Sequence, residues 1–164
     1  GPGTFDLNGA GLALPGFVDL DGAGQDTTTI TSANDTWYTV LSSSGNRVSN
    51  VTVTNFGSGN NTYAVYANGA GLTLDRVFIE AEGGASYSIG VLTNNSSIYL
   101  YDGSVVAGTF GVYTAGTQYH SIQVWRTLFS APTDVYNAAG QAFEELGLTA
   151  VPRVWLQLVA QKAE

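Results

Sequence analysis

Three observations in the sequence predict an all-β fold, a short right-handed parallel β-helix of about five coils. A pattern of about 24 residues recurs along the chain. Its apolar stretches alternate with the period of a strand, and Gly, Asn and Ser cluster between them. Composition agrees with the pattern. Only 11% of the 164 residues are charged, against roughly 25% in an average soluble domain, and 21 are Gly. The hydrophobic share of 44%, with 12% aromatic, supplies a core and separates the chain from low-complexity disorder. Thr, Asn, Ser and Gly take the place of Lys and Glu as polar surface, a mixture suited to strands and tight turns.

The elements follow in order. Gly1-Pro2 resembles the remnant of tag removal and is set aside from the fold. The first column of the repeat is led by Val40, Val65, Val91, Val112 and Val135, spaced 25, 26, 21 and 23 residues apart. The second is Val48, Leu74, Leu100 and Val124, at spacings of 26, 26 and 24. Within it Leu72-Thr73-Leu74, Ile98-Tyr99-Leu100 and Ile122-Gln123-Val124 alternate as strands do. A less regular third column holds Val51-Thr52-Val53, Val77-Phe78-Ile79, Val105-Val106 and Leu128-Phe129. Three short strands per unit cannot bury an inner face alone, but stacked units can, as a three-sheet solenoid. Leucine-rich repeats need a Leu and Asn ladder that is absent, and a propeller blade needs about 40 residues. An ordinary β-sandwich is the alternative.

Residues 1–136 are therefore expected to form the β-helix and 137–164 a non-repetitive cap or oligomerisation segment. Gln141 to Gly147 is weakly helical, whereas Val154 to Ala163 fits a strand or a helix. An open solenoid end exposes strand edges, which gives such a tail a role.

The stretch Leu14-Pro15-Gly16-Phe17-Val18-Asp19-Leu20-Asp21-Gly22-Ala23-Gly24-Gln25-Asp26-Thr27-Thr28-Thr29-Ile30 resembles the opening coil of the pectin-lyase-like β-helix superfamily. The resemblance covers about residues 4 to 136 and specifies fold better than activity. It implies either polysaccharide-cleaving enzymes or homotrimeric, glycan-recognising tailspike and fibre proteins, found outside cells, on cell surfaces or on virions. Polygalacturonases of the superfamily carry a His-Gly motif. Here the only His is His120, within Tyr119-His120-Ser121, and the further paired Asp and basic motifs are missing.

Alternate residues of a coil face outward. If the Val column points inward, then Leu41, Tyr66, Leu92, Tyr113 and Tyr136 point outward, a bulky ridge fitted to self-association. The preceding Thr39, Ala64, Gly90, Gly111 and Asp134 are mostly small and suggest a groove beside that ridge. The bland alternatives are a turn that rotates the ridge inward or a C-terminal segment lying over it. Tyr99, Tyr101 and Trp125, with Asp75 and Asp102, are candidate glycan-binding residues, since aromatic faces match sugar rings. Packing of outward aromatics on one another would explain them equally.

No catalytic set is convincing. Glycoside hydrolysis needs two carboxylates across the scissile bond. Asp75, Glu80 and Asp102 are the candidates for an enzyme, with Glu82 placed near a Gly83-Gly84 turn. Arg76 and Arg126 share a column position and read as outward charges. Asp19, Asp21 and Asp26 surround a Gly turn, where Asp more commonly bonds local backbone than a hard cation. No metal and no cofactor is expected. The absence of Cys excludes a disulfide scaffold, a thiolate zinc site and a Cys nucleophile. A net charge of −8, from 13 acidic and 5 basic residues, argues against nucleic acid, and no apolar run is long enough for a membrane-spanning helix. The expectation is a self-associating, non-catalytic and trimeric module that faces glycans. A carbohydrate-active enzyme is the alternative, and a purely structural stalk or filament subunit the third.

Overall fold

Runs such as Leu72-Thr73-Leu74-Asp75 become strands because their alternation gives each one an apolar face to bury. The computed structural model describes residues 1–33, 35, 37–69, 71–116, 120–137 and 154–159. In chain order the strands are β1 (Gly3–Asp6), β2 (Leu12–Leu14), β3 (Leu20–Asp21), β4 (Thr28–Ser32), β5 (Tyr38–Ser42), β6 (Asn46–Asn55), β7 (Asn61–Asn68), β8 (Leu72–Ala81), β9 (Tyr87–Asn94), β10 (Ile98–Tyr101), β11 (Ser104–Ala107), β12 (Phe110–Ala115), β13 (His120–Trp125), β14 (Leu128–Ser130), β15 (Thr133–Asn137) and β16 (Val154–Val159). Among the described residues every strand pair is parallel and no helix occurs. The result is a parallel β-helix of about five coils.

Two hydrogen-bonded sheets build it. One has six strands in the order β2-β5-β7-β9-β12-β15. The other has ten and runs β1-β4-β6-β8-β10-β13-β16, with β3 beside β6 and β11 joining β8 to β14. The ten-stranded sheet covers two of the three faces because β6 and β8 turn a corner without leaving it. They do so at Asn50 and Arg76, both at φ 53°. In the next coils Asp102 (φ 53°) and Arg126 (φ 46°) stand at the same corner and separate β10 from β11 and β13 from β14.

The repeat columns stack residue on residue. Val48, Leu74, Leu100 and Val124 lie in register and are buried, as are Val53, Ile79 and Val105. Val40, Val65, Val91 and Val112 close the core from the six-stranded side without measurable exposure. The strand alternative for the tail is the one found, since β16 pairs with β13 from His120 and Val154 to Trp125 and Val159. The helical expectation at 141–147 falls outside the described residues.

One expectation is corrected. Thr39, Ala64, Gly90 and Gly111 do not line an outer groove; they are buried, next to the inward Val column, while Asp134 of the same row is exposed. Each strand there turns two consecutive residues inward, and the walls of the solenoid pinch together. Thr39 Oγ1 reaches across to donate to the Thr54 carbonyl at 2.7 Å. A Cβ on Gly90 would stand 2.3 Å from Val105 Cγ1, and one on Gly111 would stand 2.7 Å from the Phe129 ring. Small side chains are therefore a packing requirement.

Asn46 departs from its column, where Leu72 and Ile98 follow it. Its Oδ1 accepts from Ser42 Oγ (2.9 Å), Ser43 N (3.2 Å) and Ser44 N (3.3 Å). Its Nδ2 donates to the carbonyls of Pro15 (2.7 Å) and Val18 (2.8 Å). The buried amide thus ties the first coil to the second and has both its own oxygen and its own nitrogen satisfied.

Two stability outcomes follow from these contacts. Asn46→Leu continues the apolar column but strands those donors and acceptors, and a denaturant titration should show a loss of about 2–4 kcal/mol. Gly90→Ala should cost about 1–3 kcal/mol in the same measurement, through overpacking against Val105.

Candidate functional site

The outer face of the six-stranded sheet carries the proposed ridge. Leu41, Tyr66, Leu92, Tyr113 and Tyr136 stack in register, one per coil. All five point outward. The first four are half-buried and Tyr136 is 43% exposed, so no turn rotates them into the core. A covering C-terminal segment would draw on residues 138–153, which lie outside the described residues.

The ridge is only half of the apolar surface. Because two residues of each strand turn inward, the residue two places before each Val also faces out. These are Tyr38, Tyr63, Ile89, Phe110 and Thr133, themselves in register. Trp37, Tyr38, Tyr63 and Tyr66 form one ring cluster with centroid distances of 6.1–6.4 Å. Tyr87, Phe110, Tyr113 and Tyr136 form another at 5.0–5.8 Å. Such spacings are those of favourable tilted and edge-on ring pairs. Ile89 and Leu92 share β9 with Tyr87 of the second cluster, and Ile89 lies at the floor, 3% exposed. The second row was missed in the sequence although its residues recur at the ridge's own spacing. Strict alternation had assigned that face to one residue in two.

This surface carries no formal charge over β5, β7, β9 and β12, whereas β15 carries the exposed Asp134. No Asp, Glu, Lys or Arg occurs in β5, β7, β9 or β12. Burial pushes the hydroxyls of Tyr63 and Tyr113 above the ordinary phenol range, which keeps them neutral.

The ten-stranded sheet shows a different chemistry at its corner. Asp21, Ser49, Asp75, Tyr101 and Trp125 occupy one outward row. Arg47, Thr73, Tyr99 and Gln123 form the row beside it. The structure therefore brings Tyr99, Tyr101 and Trp125 onto one surface, Trp125 being 44% exposed. Asp75 and Asp102 are not free carboxylates. Asp75 Oδ2 pairs with Arg47 and, at 3.2 Å, with Arg76. Asp102 holds Arg126 by two contacts, 2.5 Å to Nε and 2.7 Å to Nη2. The pairings of Arg47 with Asp75 and of Arg126 with Asp102 raise those two arginines' pKa values, through the hydrogen bond first and the opposite charge second.

Two acids of the first coil are tied to the second. Asp21 accepts from Ser49 Oγ and Asn50 Nδ2, both at 2.7 Å, and these bonds hold its pKa below the usual carboxylate range. Asp19 accepts from the Arg47 amide at 3.0 Å. Bonds to the next coil thus explain Asp19 and Asp21, and among the described residues no group of three potential ligands gathers for a metal. Glu80 lies beyond the corner from Asp75, on the other of the two solenoid walls that this sheet covers. Burial first, and the Glu82 charge second, push its carboxyl above the usual range. β8 ends at Ala81, yet Glu82 is close enough to act.

Three outcomes are expected. Arg76 occupies the left-handed region, which an unbranched L side chain enters at a cost and Asn tolerates. Arg76→Asn should therefore gain about 0.5–1 kcal/mol by denaturant titration, because Asp75 keeps Arg47. Arg126→Asn should gain less, since it gives up both contacts to Asp102. For Glu80 the folded pKa lies above the unfolded one, so its ionisation costs stability. That cost is absent below the unfolded value of about 4.3 and complete above the folded value. Glu80→Gln should thus raise the midpoint at pH 7, with the difference vanishing at acid pH. Comparison of the chain with protein-family models, curated proteins and solved structures returned no match.

Proposed function

We propose that the chain is a non-catalytic, self-associating β-helix module of a surface or fibre protein, and that the outer face of its six-stranded sheet is the contact surface. One observation carries this reading. The face is aromatic or aliphatic in its two outward rows and uncharged over four consecutive strands, on a chain whose net charge is −8. Contiguous apolar surface of this kind marks an interaction site on a soluble protein. Copies of an acidic chain repel one another, and an uncharged face is where they approach at least electrostatic cost. The carboxylates of an enzyme reading speak for the same conclusion. Asp75 and Asp102 are each bound to guanidinium, and Glu80 stands round the corner from both.

A second reading rests on Tyr99, Tyr101 and Trp125, which form a half-exposed aromatic surface on the ten-stranded sheet. Such a surface would let the module face glycans while it self-associates through the other sheet. A stalk with no ligand is what remains if that surface binds nothing.

Sedimentation equilibrium over a range of concentrations tests self-association. The wild type should exceed the monomer mass of 17.1 kDa, and Tyr113→Glu should return it to that mass while keeping the β circular-dichroism spectrum. Thr52→Glu, on another face, should leave the assembly intact. A wild type that stays monomeric at every concentration removes the reading. Retention on a glycan array, lost on Trp125→Ala, would support the glycan surface; hydrolysis of a polysaccharide panel, lost on Asp102→Asn, would make the chain an enzyme.

A further inference from the structure

We infer that the chain carries a site of spontaneous covalent modification in its first coil, where Asn8 converts to aspartate and isoaspartate through attack by the Gly9 nitrogen. The sequence contains the Asn-Gly pair twice, as Asn8-Gly9 and Asn68-Gly69. In an unfolded chain the two pairs are chemically alike, because glycine has no Cβ to hinder the approach of its nitrogen. The fold makes them different. Asn8 and Gly9 form the exposed turn between β1 and β2, at φ 51° and 77°, with the Ala10 amide donating to the Leu7 carbonyl at 3.0 Å. Asn-Gly with positive φ at both central positions is the pattern of a type I′ turn. Asp6 Oδ1 accepts from the Asn8 backbone amide at 2.8 Å. The Asn8 side chain and the Gly9 N–H have no partner among the described residues, and both residues face water.

Asn68-Gly69 is held at both reacting groups. Asn68 is the last residue of β7, in register with Asn94. Its Oδ1 accepts from Asn94 Nδ2 at 3.3 Å, and the Gly69 nitrogen donates to the Asn94 carbonyl at 3.1 Å. Attack there requires that both bonds to the next coil open first, a local unfolding that Asn8 does not need. At Asn8, hydroxide removes the Gly9 amide proton and that nitrogen attacks Asn8 Cγ. The bond from Cγ to the side-chain nitrogen breaks, ammonia leaves with a proton taken from water, and a succinimide ring forms. Water then opens the ring at either carbonyl, which leaves aspartate or, with one more carbon in the backbone, isoaspartate. The product lies where the chain leaves β1, an edge strand that pairs with β4 alone among the described residues. The added charge and the lengthened backbone therefore act on the first coil and leave the later ones in place.

Peptide mapping by mass spectrometry tests this on the unaltered chain, kept in mildly alkaline buffer with and without concentrated urea. In urea the two asparagines should convert at similar rates, which shows that sequence context does not separate them. In the folded protein Asn8 should convert about tenfold or more faster than Asn68, since two hydrogen bonds protect only the latter. Isoaspartate should accordingly be found in the first-coil peptide of the folded protein and not in the peptide that holds Asn68. A ratio near one in the folded protein, whether both asparagines react or neither does, would overturn the inference. The outcome is independent of whether the chain self-associates through its six-stranded sheet.

Discussion

Parallel stacking in register is the constraint on which everything else in this molecule depends. Successive coils sit about 4.8 Å apart, so each residue has its column neighbours directly above and below. What a position tolerates is decided by those neighbours more than by the residues beside it in sequence. An inward column must be apolar through several coils, as Val48, Leu74, Leu100 and Val124 are. Where the interior narrows, every member must be small, hence Thr39, Ala64, Gly90 and Gly111.

The same constraint explains the scarcity of charge. Like charges one coil apart repel, so an outward column carries neutral side chains or alternates in sign. The corner column does the latter, with Asn50, Arg76, Asp102 and Arg126 in successive coils, and Asp102 is bound to the Arg126 above it. The six-stranded face takes the neutral course. Its tyrosines and aliphatic residues stack favourably on one another, at the cost of leaving apolar area open to water.

Much of this was legible in the sequence. The Val column and the alternation of Leu72-Thr73-Leu74 gave the coil period and the outward direction of Leu41, Tyr66, Leu92, Tyr113 and Tyr136. The outward row of Tyr99, Tyr101 and Trp125 was legible for the same reason. The breadth of the aromatic face was not. It depends on two consecutive inward residues per strand, and a strict two-residue period sends one of them outside. Nor could the sequence pair Asp75 with Arg47, which stand 28 residues apart and meet only through the stacking.

What the sequence by itself determined is the repeat, and with it a parallel β-helix and a deficit of charge. A period of about 24 residues is a local property, written in the order of apolar and turn residues. The tertiary structure decided the surface. It turned the small column inward, joined two faces into one sheet through left-handed corners at Asn50 and Arg76, and gathered aromatic residues of the six-stranded face into two clusters. These outcomes depend on the width of the interior and on which coil lies above which. Both are set by side chains on opposite walls of the solenoid, which no stretch of the chain contains together.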